Sequence, residues 1–418
     1  MVGFLRPRKL EICFSFFLVA TLFLTGLVNA FSTPTNFPFS SDPYILVGGQ
    51  SGIWFQHGQN PRLYKISFLD YSVVQLTPVP SDGTIWTGGW NGSQWLISGW
   101  GTSPGSHGSN PYIYLYDGET QIVAGSLSQF DSESSWHGGD VFAASYNGED
   151  WLLSGMGSDS LPGFDIGEPT NHMSLATFDG YNFTDLSGEV PRQQNGILYA
   201  NAWNGTSWLV GGGYADFGVL FTFDGKTITD LSDPILTKVP TFDSVQSIAW
   251  NGKYWLIGGI GFLARFDGHN FIDLSSQLRS ALRVHLLNTA PVVDSLSASN
   301  WVPHRFQLTV NTIVWNGTSW MLGGGSPIAQ STPNVAWAVS YGKDGLVDIS
   351  SRLPAHVTQP QQSGSSILSI CYTGNKWIFG GYSDGHAILL LYEHESFGDI
   401  SYLVSSMNYA NWVGAEHE

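Results

Sequence analysis

Apolar and polar positions alternate along this chain in short runs of strand length, and tight-turn residues punctuate them. Residues 244–275 show the unit. An apolar-rich run ends at Trp250, Asn251-Gly252 follows, and Trp255-Leu256-Ile257 opens a return run that closes at Gly258-Gly259. Residues 262–266 read as a third strand, Asp267-Gly268 as a second turn, and Phe271-Ile272-Asp273-Leu274-Ser275 as a fourth strand. Asn-Gly between such runs predicts a type I′ hairpin, in which both central residues take positive φ. Four strands joined in this way form a meander, the unit of a propeller blade.

The unit recurs. Trp90-Asn91-Gly92 is followed by Trp95-Leu96-Ile97, Tyr146-Asn147-Gly148 by Trp151-Leu152-Leu153, and Trp203-Asn204-Gly205 by Trp208-Leu209-Val210. Trp315-Asn316-Gly317 and Tyr372-Thr373-Gly374 lead in the same way into Trp320 and Trp377. The second Trp of each copy falls at 95, 151, 208, 255, 320 and 377, a spacing of 47 to 65 residues. A period near 50 marks propellers and solenoids. The fixed strand position of these tryptophans assigns them to packing between blades. A second signal runs in phase: Phe178-Asp179-Gly180 with Asp185-Leu186-Ser187, Phe223-Asp224-Gly225 with Asp230-Leu231-Ser232, and looser copies ending at Asp348-Ile349-Ser350 and Asp399-Ile400-Ser401.

Six copies are complete. Tyr44-Ile45-Leu46-Val47-Gly48-Gly49 matches a second strand with no first strand before it, and residues 404–412 have the length and apolar content of the missing piece. The expected fold is therefore all-β: a seven-bladed β-propeller of four-stranded antiparallel blades, closed by pairing of the C-terminal strand with the N-terminal blade. Closure removes the free sheet edges that invite aggregation. The expected organisation is a signal peptide over 1–30, a linker over 31–42, the propeller over 43–413 with an insertion at 276–308, and a tail at 414–418. In the leader, Arg6, Arg8 and Lys9 precede an uncharged apolar stretch and the small-residue site Val28-Asn29-Ala30. If that stretch is retained it becomes a membrane anchor, and the propeller is exported in either case.

On its Gly-Gly doublets and aromatic-Asp steps the chain resembles kelch-type and galactose-oxidase-like propellers, over residues 43–413. The resemblance implies a fold and little about function. The copper ligands and the Cys–Tyr crosslink of galactose oxidase match no motif in this sequence, nor do WD40 Trp-Asp endings or the sialidase Asp-box.

In such a meander the 1–2 and 3–4 turns share one face of the disc; the 2–3 loops and blade connections share the other. The first set are tight here, and the second set are long and varied, as at 50–62, 100–111, 125–139, 156–172 and 325–336. Variable loops on a rigid scaffold are where binding sites form. Within the insertion, Leu278, Leu282 and Leu286 recur every fourth residue and predict a short amphipathic helix across this looped face. Candidate ligand contacts there are Trp136, His137, Asp140, His172, Trp301 and His304. Aromatic rings with Asp and Asn groups suit stacking on and hydrogen bonding to a sugar. The loop histidines have no local metal-ligand spacing, so neither metal nor cofactor is expected. Arg192, Arg279, Arg283 and Arg305 could instead converge on an anion, or serve solubility.

Composition narrows the partners. Without the leader, 13 Lys+Arg face 32 Asp+Glu, since Arg6, Arg8, Lys9 and Glu11 leave totals of 16 and 33. That balance argues against nucleic acid and anionic lipid. Cys371 is the one cysteine outside the leader and reads as a buried small hydrophobe. The sequons at Asn91, Asn182, Asn204 and Asn316 lie in turns of the tight face, as glycosylation acceptors or as turn residues with an incidental hydroxyl. The expected function is a secreted or cell-surface propeller that binds a carbohydrate or protein ligand through its looped face. Alternatives are an extracellular hydrolase, lyase or oxidase at the channel mouth, although no catalytic motif is found, and a structural cell-surface subunit.

Overall fold

The computed structural model describes residues 43–51, 60–77, 82–102, 109–118, 121–123, 139–158, 171–192, 196–214, 217–289, 308–327, 334–360 and 363–415. The leader, the whole linker and the C-terminal end of the tail lie outside these residues, as do residues 290–307 of the insertion. Among the described residues no helix is long and apolar enough to cross a membrane.

The described strands form seven four-stranded antiparallel sheets. Blade 1 holds β1 (Tyr44–Ser51), β2 (Asn60–Ser67) and β3 (Val73–Gln75). Blade 2 holds β4 (Gly83–Trp90), β5 (Trp95–Thr102), β6 (Ser109–Tyr116) and β7 (Gln121–Val123). Blade 3 is β8 (Asp140–Tyr146), β9 (Trp151–Ser158), β10 (Asn171–Phe178) and β11 (Phe183–Asp185). Blade 4 is β12 (Ile197–Trp203), β13 (Trp208–Tyr214), β14 (Phe217–Phe223) and β15 (Ile228–Asp230). Blade 5 is β16 (Val245–Trp250), β17 (Trp255–Gly259), β18 (Leu263–Phe266) and β19 (Phe271–Asp273). Blade 6 is β20 (Thr309–Trp315), β21 (Trp320–Pro327), β22 (Asn334–Gly342) and β23 (Gly345–Asp348). Blade 7 is β24 (Ser365–Tyr372), β25 (Trp377–Ser383), β26 (His386–Glu393) and β27 (Ser396–Asp399). The last strand, β28 (Tyr409–Ala415), pairs antiparallel with β1 and supplies the first strand of blade 1. Each first strand packs on the first strand of the next blade, and β28 meets both β24 and β4, so the ring closes.

The Gly-Gly doublet has two separate causes. Its first glycine faces the next blade: a Cβ on Gly48, Gly211, Gly258 or Gly323 would lie 2.5–2.6 Å from Ile85, Val245, Val310 or Ile367. In blade 3, Ser154 takes this place and accepts a hydrogen bond from Asn201 Nδ2 of blade 4 at 2.8 Å. Its second glycine faces its own blade, where the first strand carries a bulge. A Cβ on Gly324 would lie 1.8 Å from the Thr309 carbonyl oxygen, and on Gly99 1.9 Å from that of Thr84.

The Asp-Leu-Ser endings are clamps. Ser187 Oγ accepts the Leu175 N–H at 3.0 Å and donates to the Leu175 carbonyl at 3.3 Å, while Asp185 Oδ1 accepts the Ser187 N–H. The same set recurs at Ser232, Ser275, Ser350 and Ser401. Each prolongs the ladder of a short outer strand by one side chain.

Two expectations need correction. In the Asn-Gly turns only the glycine takes positive φ, as at Gly92 (95°), and Asn91 does not. The Asn side chain accepts two backbone N–H groups instead, and this replaces the type I′ geometry. Both central residues are positive only at Asp384-Gly385 and His394-Glu395 among the described hairpins. The insertion does form a helix, but it does not lie across the face. Three short helices follow outer strands or connections: α1 (Ser232–Lys238), α2 (Ser275–Thr289) and α3 (Ala355–Thr358). Helix α2 wedges between blades 5 and 6, against β18, β22 and β23. Leu278 and Leu282 are buried beside Trp337 and Val339, and removing their side chains from water holds the helix there.

Candidate functional site

Every first strand carries one extra residue in its register. These bulged residues are Trp86, Phe142, Tyr199, Gln246, Asn311, Leu368 and Asn411, one per blade. A bulge re-aims its extra side chain. The residue before it can point to a neighbouring blade, as Ile85 does toward Gly48 of blade 1. The extra one turns to the axis. Trp86 meets Phe142 and Phe142 meets Tyr199, each at 5.4 Å between ring centroids. All seven are between 0 and 6 % exposed. The axis is therefore filled at this level, aromatic on blades 2 to 4 and rich in side-chain amides elsewhere.

Above this floor, on the looped side, polar groups gather where blades 1, 2 and 3 meet. First strands begin on that side and second strands end there. Gln50, at the end of β1, is fully buried and its Oε1 accepts from Thr84 Oγ1 of blade 2. Among the described residues Gln50 Nε2 and Asp82 Oδ1 have no hydrogen-bond partner. Asn411 Nδ2 donates to the Ile85 carbonyl at 3.1 Å, and its Oδ1 has no partner among the described residues. Tyr112 Oη donates to the Thr84 carbonyl at 3.1 Å. These partners place Gln50, Asn411 and Tyr112 around one short stretch, residues 84–85, at the start of β4.

Asp140 opens β8 on the same side and is buried. Burial penalises its carboxylate and raises its pKa to about 8. Asp140 therefore holds its proton at neutral pH and can donate as well as accept. Its proximity also raises the Tyr112 phenol, whose main cause of shift is burial.

Of the six residues expected from sequence, the structure describes two. Asp140 is at the mouth of the axis. His172 lies at the looped end of β10, two strands further out on the same blade, opposite Gly157. Trp136, His137, Trp301 and His304 lie outside the described residues. Gln50, Asp82, Thr84 and Tyr112 were not anticipated; a usable signal is that Gln50 directly follows the Gly48-Gly49 doublet, at the looped end of its strand. The anion reading loses two of its arginines. Arg192 pairs with Asp233 at 2.6 Å and Asp230 at 3.3 Å, and Arg279 donates to the Gly261 carbonyl at 3.1 Å. Among the described residues no three His, Cys, Asp or Glu side chains gather as a metal site. His285, on α2, is buried with its Nε2 3.1 Å from the Ala336 carbonyl, and serves to fix the helix.

No protein-family model matches this chain, and no curated protein does. Solved structures similar to it include the acylaminoacyl peptidase of Pyrococcus horikoshii, at 9% identity and TM-score 0.46, over 88% of this chain and 52% of that one. The β-propeller domain of the trilobed protease of Pyrococcus furiosus is matched at 9% identity and TM-score 0.44, over 87% and 96%. That domain is described as having an open velcro topology; here β28 closes the ring on β1. The extracellular domain of a one-component system protein of B. thetaiotaomicron is matched at 12% identity and TM-score 0.43, over 76% and 33%. The chain thus spans about a third to a half of the first and third of these structures.

Proposed function

We propose that this chain is an exported propeller that binds a carbohydrate or protein ligand on its looped face, at the mouth of the axis beside blades 1 to 3. The observation that carries this reading is the convergence of buried polar side chains of blades 1 and 2 on residues 84–85, on the looped side. Among the described residues Gln50 Nε2 and Asp82 Oδ1 lack hydrogen-bond partners on that side. On the opposite face, the Asn and Asp side chains of the turns are engaged by their own backbone. An unmade buried hydrogen bond costs about 1–3 kcal/mol. A ligand hydroxyl or amide can accept from Gln50 and donate to Asp82, while half-buried Trp100 adds an aromatic surface nearby. The formal charge of −17 disfavours an anionic ligand. Trp136 and His137 stay within the proposal because they precede Asp140 on one connection. The Gly-Gly doublets and aromatic-Asp steps support a kelch-like kinship.

The test is glycan-array and protein-capture binding by the full chain, followed by calorimetry of Gln50→Leu and of His137→Ala with His172→Ala. Gln50→Leu is expected to weaken binding about tenfold, the worth of one hydrogen bond of about 1.4 kcal/mol. Unchanged binding in all of these variants would place the site elsewhere.

Asp140 favours a second reading, an extracellular hydrolase or lyase. A carboxyl group that stays protonated at neutral pH suits a general acid. Turnover would then fall as pH rises through about 8, and Asp140→Asn would abolish it.

A further inference from the structure

Five blades carry an Asn-Gly turn between their first and second strands, and the turns are built alike. Asn147 Oδ1 accepts the N–H groups of Glu149 and Asp150, each at 2.7 Å, and Asn251 Oδ1 accepts those of Lys253 and Tyr254 at 3.0 and 2.8 Å. The turn thus needs the asparagine oxygen and the glycine, and it tolerates Glu or Lys in third place. The other three turns have a hydroxyl there: Ser93, Thr206 and Thr318. Turn chemistry does not require it. Its hydrogen bond returns to the same asparagine, from Ser93 Oγ to Asn91 Oδ1 at 3.1 Å, and from Thr206 and Thr318 Oγ1 to Asn204 and Asn316 Oδ1 at 2.9 Å. With Oδ1 so engaged, the amide nitrogen is the polar group of each asparagine left over. It makes no hydrogen bond among the described residues, and the residues at the turn tip are exposed.

We infer that Asn91, Asn204 and Asn316 are N-glycosylation sites, so that blades 2, 4 and 6 each carry a glycan on the tight face. The premise is export, read from the N-terminal segment. The reaction needs a lipid-phosphate-linked sugar as donor. The asparagine Nδ2 bonds to the sugar C1, the C1–O bond to phosphate breaks, the lipid phosphate leaves and Nδ2 loses one proton; nothing is oxidised or reduced. Asn182 is outside the inference, because it belongs to a different turn and its Nδ2 donates to Asp179 Oδ2 at 3.1 Å.

The experiment is peptide mass spectrometry of the full chain recovered from its source cells, inside and outside, with Asn147 and Asn251 as internal negative controls. The expected result is a glycan at Asn91, Asn204 and Asn316 of the exported protein. Single variants Ser93→Ala, Thr206→Ala and Thr318→Ala should each lose the glycan at one site. Before modification their melting temperatures should match the parent's, because the Asn147 and Asn251 turns stand without a hydroxyl. Exported protein with all three asparagines bare would overturn the inference. Protein found only inside the cell, leader intact, would overturn it through its premise.

Discussion

Asp140 puts a measurable pH dependence into the fold. Its folded pKa of about 8 lies above the ordinary value of 3.8. Between those two values the folded chain holds a proton that the unfolded chain has released. Stability therefore falls as pH rises through this window, at up to about 1.4 kcal/mol per pH unit, and levels off above it. Asp140→Asn should flatten the slope, so that denaturant midpoints of variant and parent separate progressively from pH 5 to pH 8. Parallel curves would show that Asp140 ionises as an ordinary carboxylate. The same group explains why the tight face and the looped face differ chemically. Asp179, Asp224 and Asp267 sit in exposed turns, where accepted N–H groups lower their pKa values and keep them charged. Asp140 meets the opposite condition.

At the level of elements, the bulge and the glycine opposite it act as one device. The extra residue needs its strand to swing toward the second strand, and only a residue without Cβ leaves room for the carbonyl. Gly324→Ala should therefore cost about 3 kcal/mol or more, the upper range for forced overpacking. Gly188→Ala, with open space around its Cβ and no positive φ, should stay within about 0.5 kcal/mol of the parent. Urea titration of both variants checks the difference; equal midpoints would mean that the strand shifts without strain. The doublet was legible in the sequence because it repeats. The bulge was not, since Trp, Phe, Tyr, Gln, Asn and Leu all serve as the extra residue and leave no common letter. Helix α2 was legible from its leucine spacing, yet its resting place depended on the flank of blade 6, about 60 residues further along the chain.

For the whole molecule, the number of blades and their closure were readable because each hairpin is a local event, and because two incomplete pieces stood at opposite ends. Of the candidate mouth, Asp140 stood out in the sequence, whereas Gln50 and Asn411 reach one stretch of β4 only through closure between residues more than 300 positions apart. Removing residues 404–418 should unravel more than blade 1. It exposes the edge of β1, strips packing from β24 and β4, and takes Trp412 from its contacts with Trp95 and Gly88. A broad, early melting transition in calorimetry is expected; unchanged melting would refute closure by β28. The filled axis has its own consequence. The seven extra side chains, one from each blade, are all between 0 and 6 % exposed, so solvent does not reach between the first strands at their level. A change of size at any one of them would therefore be felt by its neighbours around the ring, as Trp86 is by Phe142 and Phe142 by Tyr199.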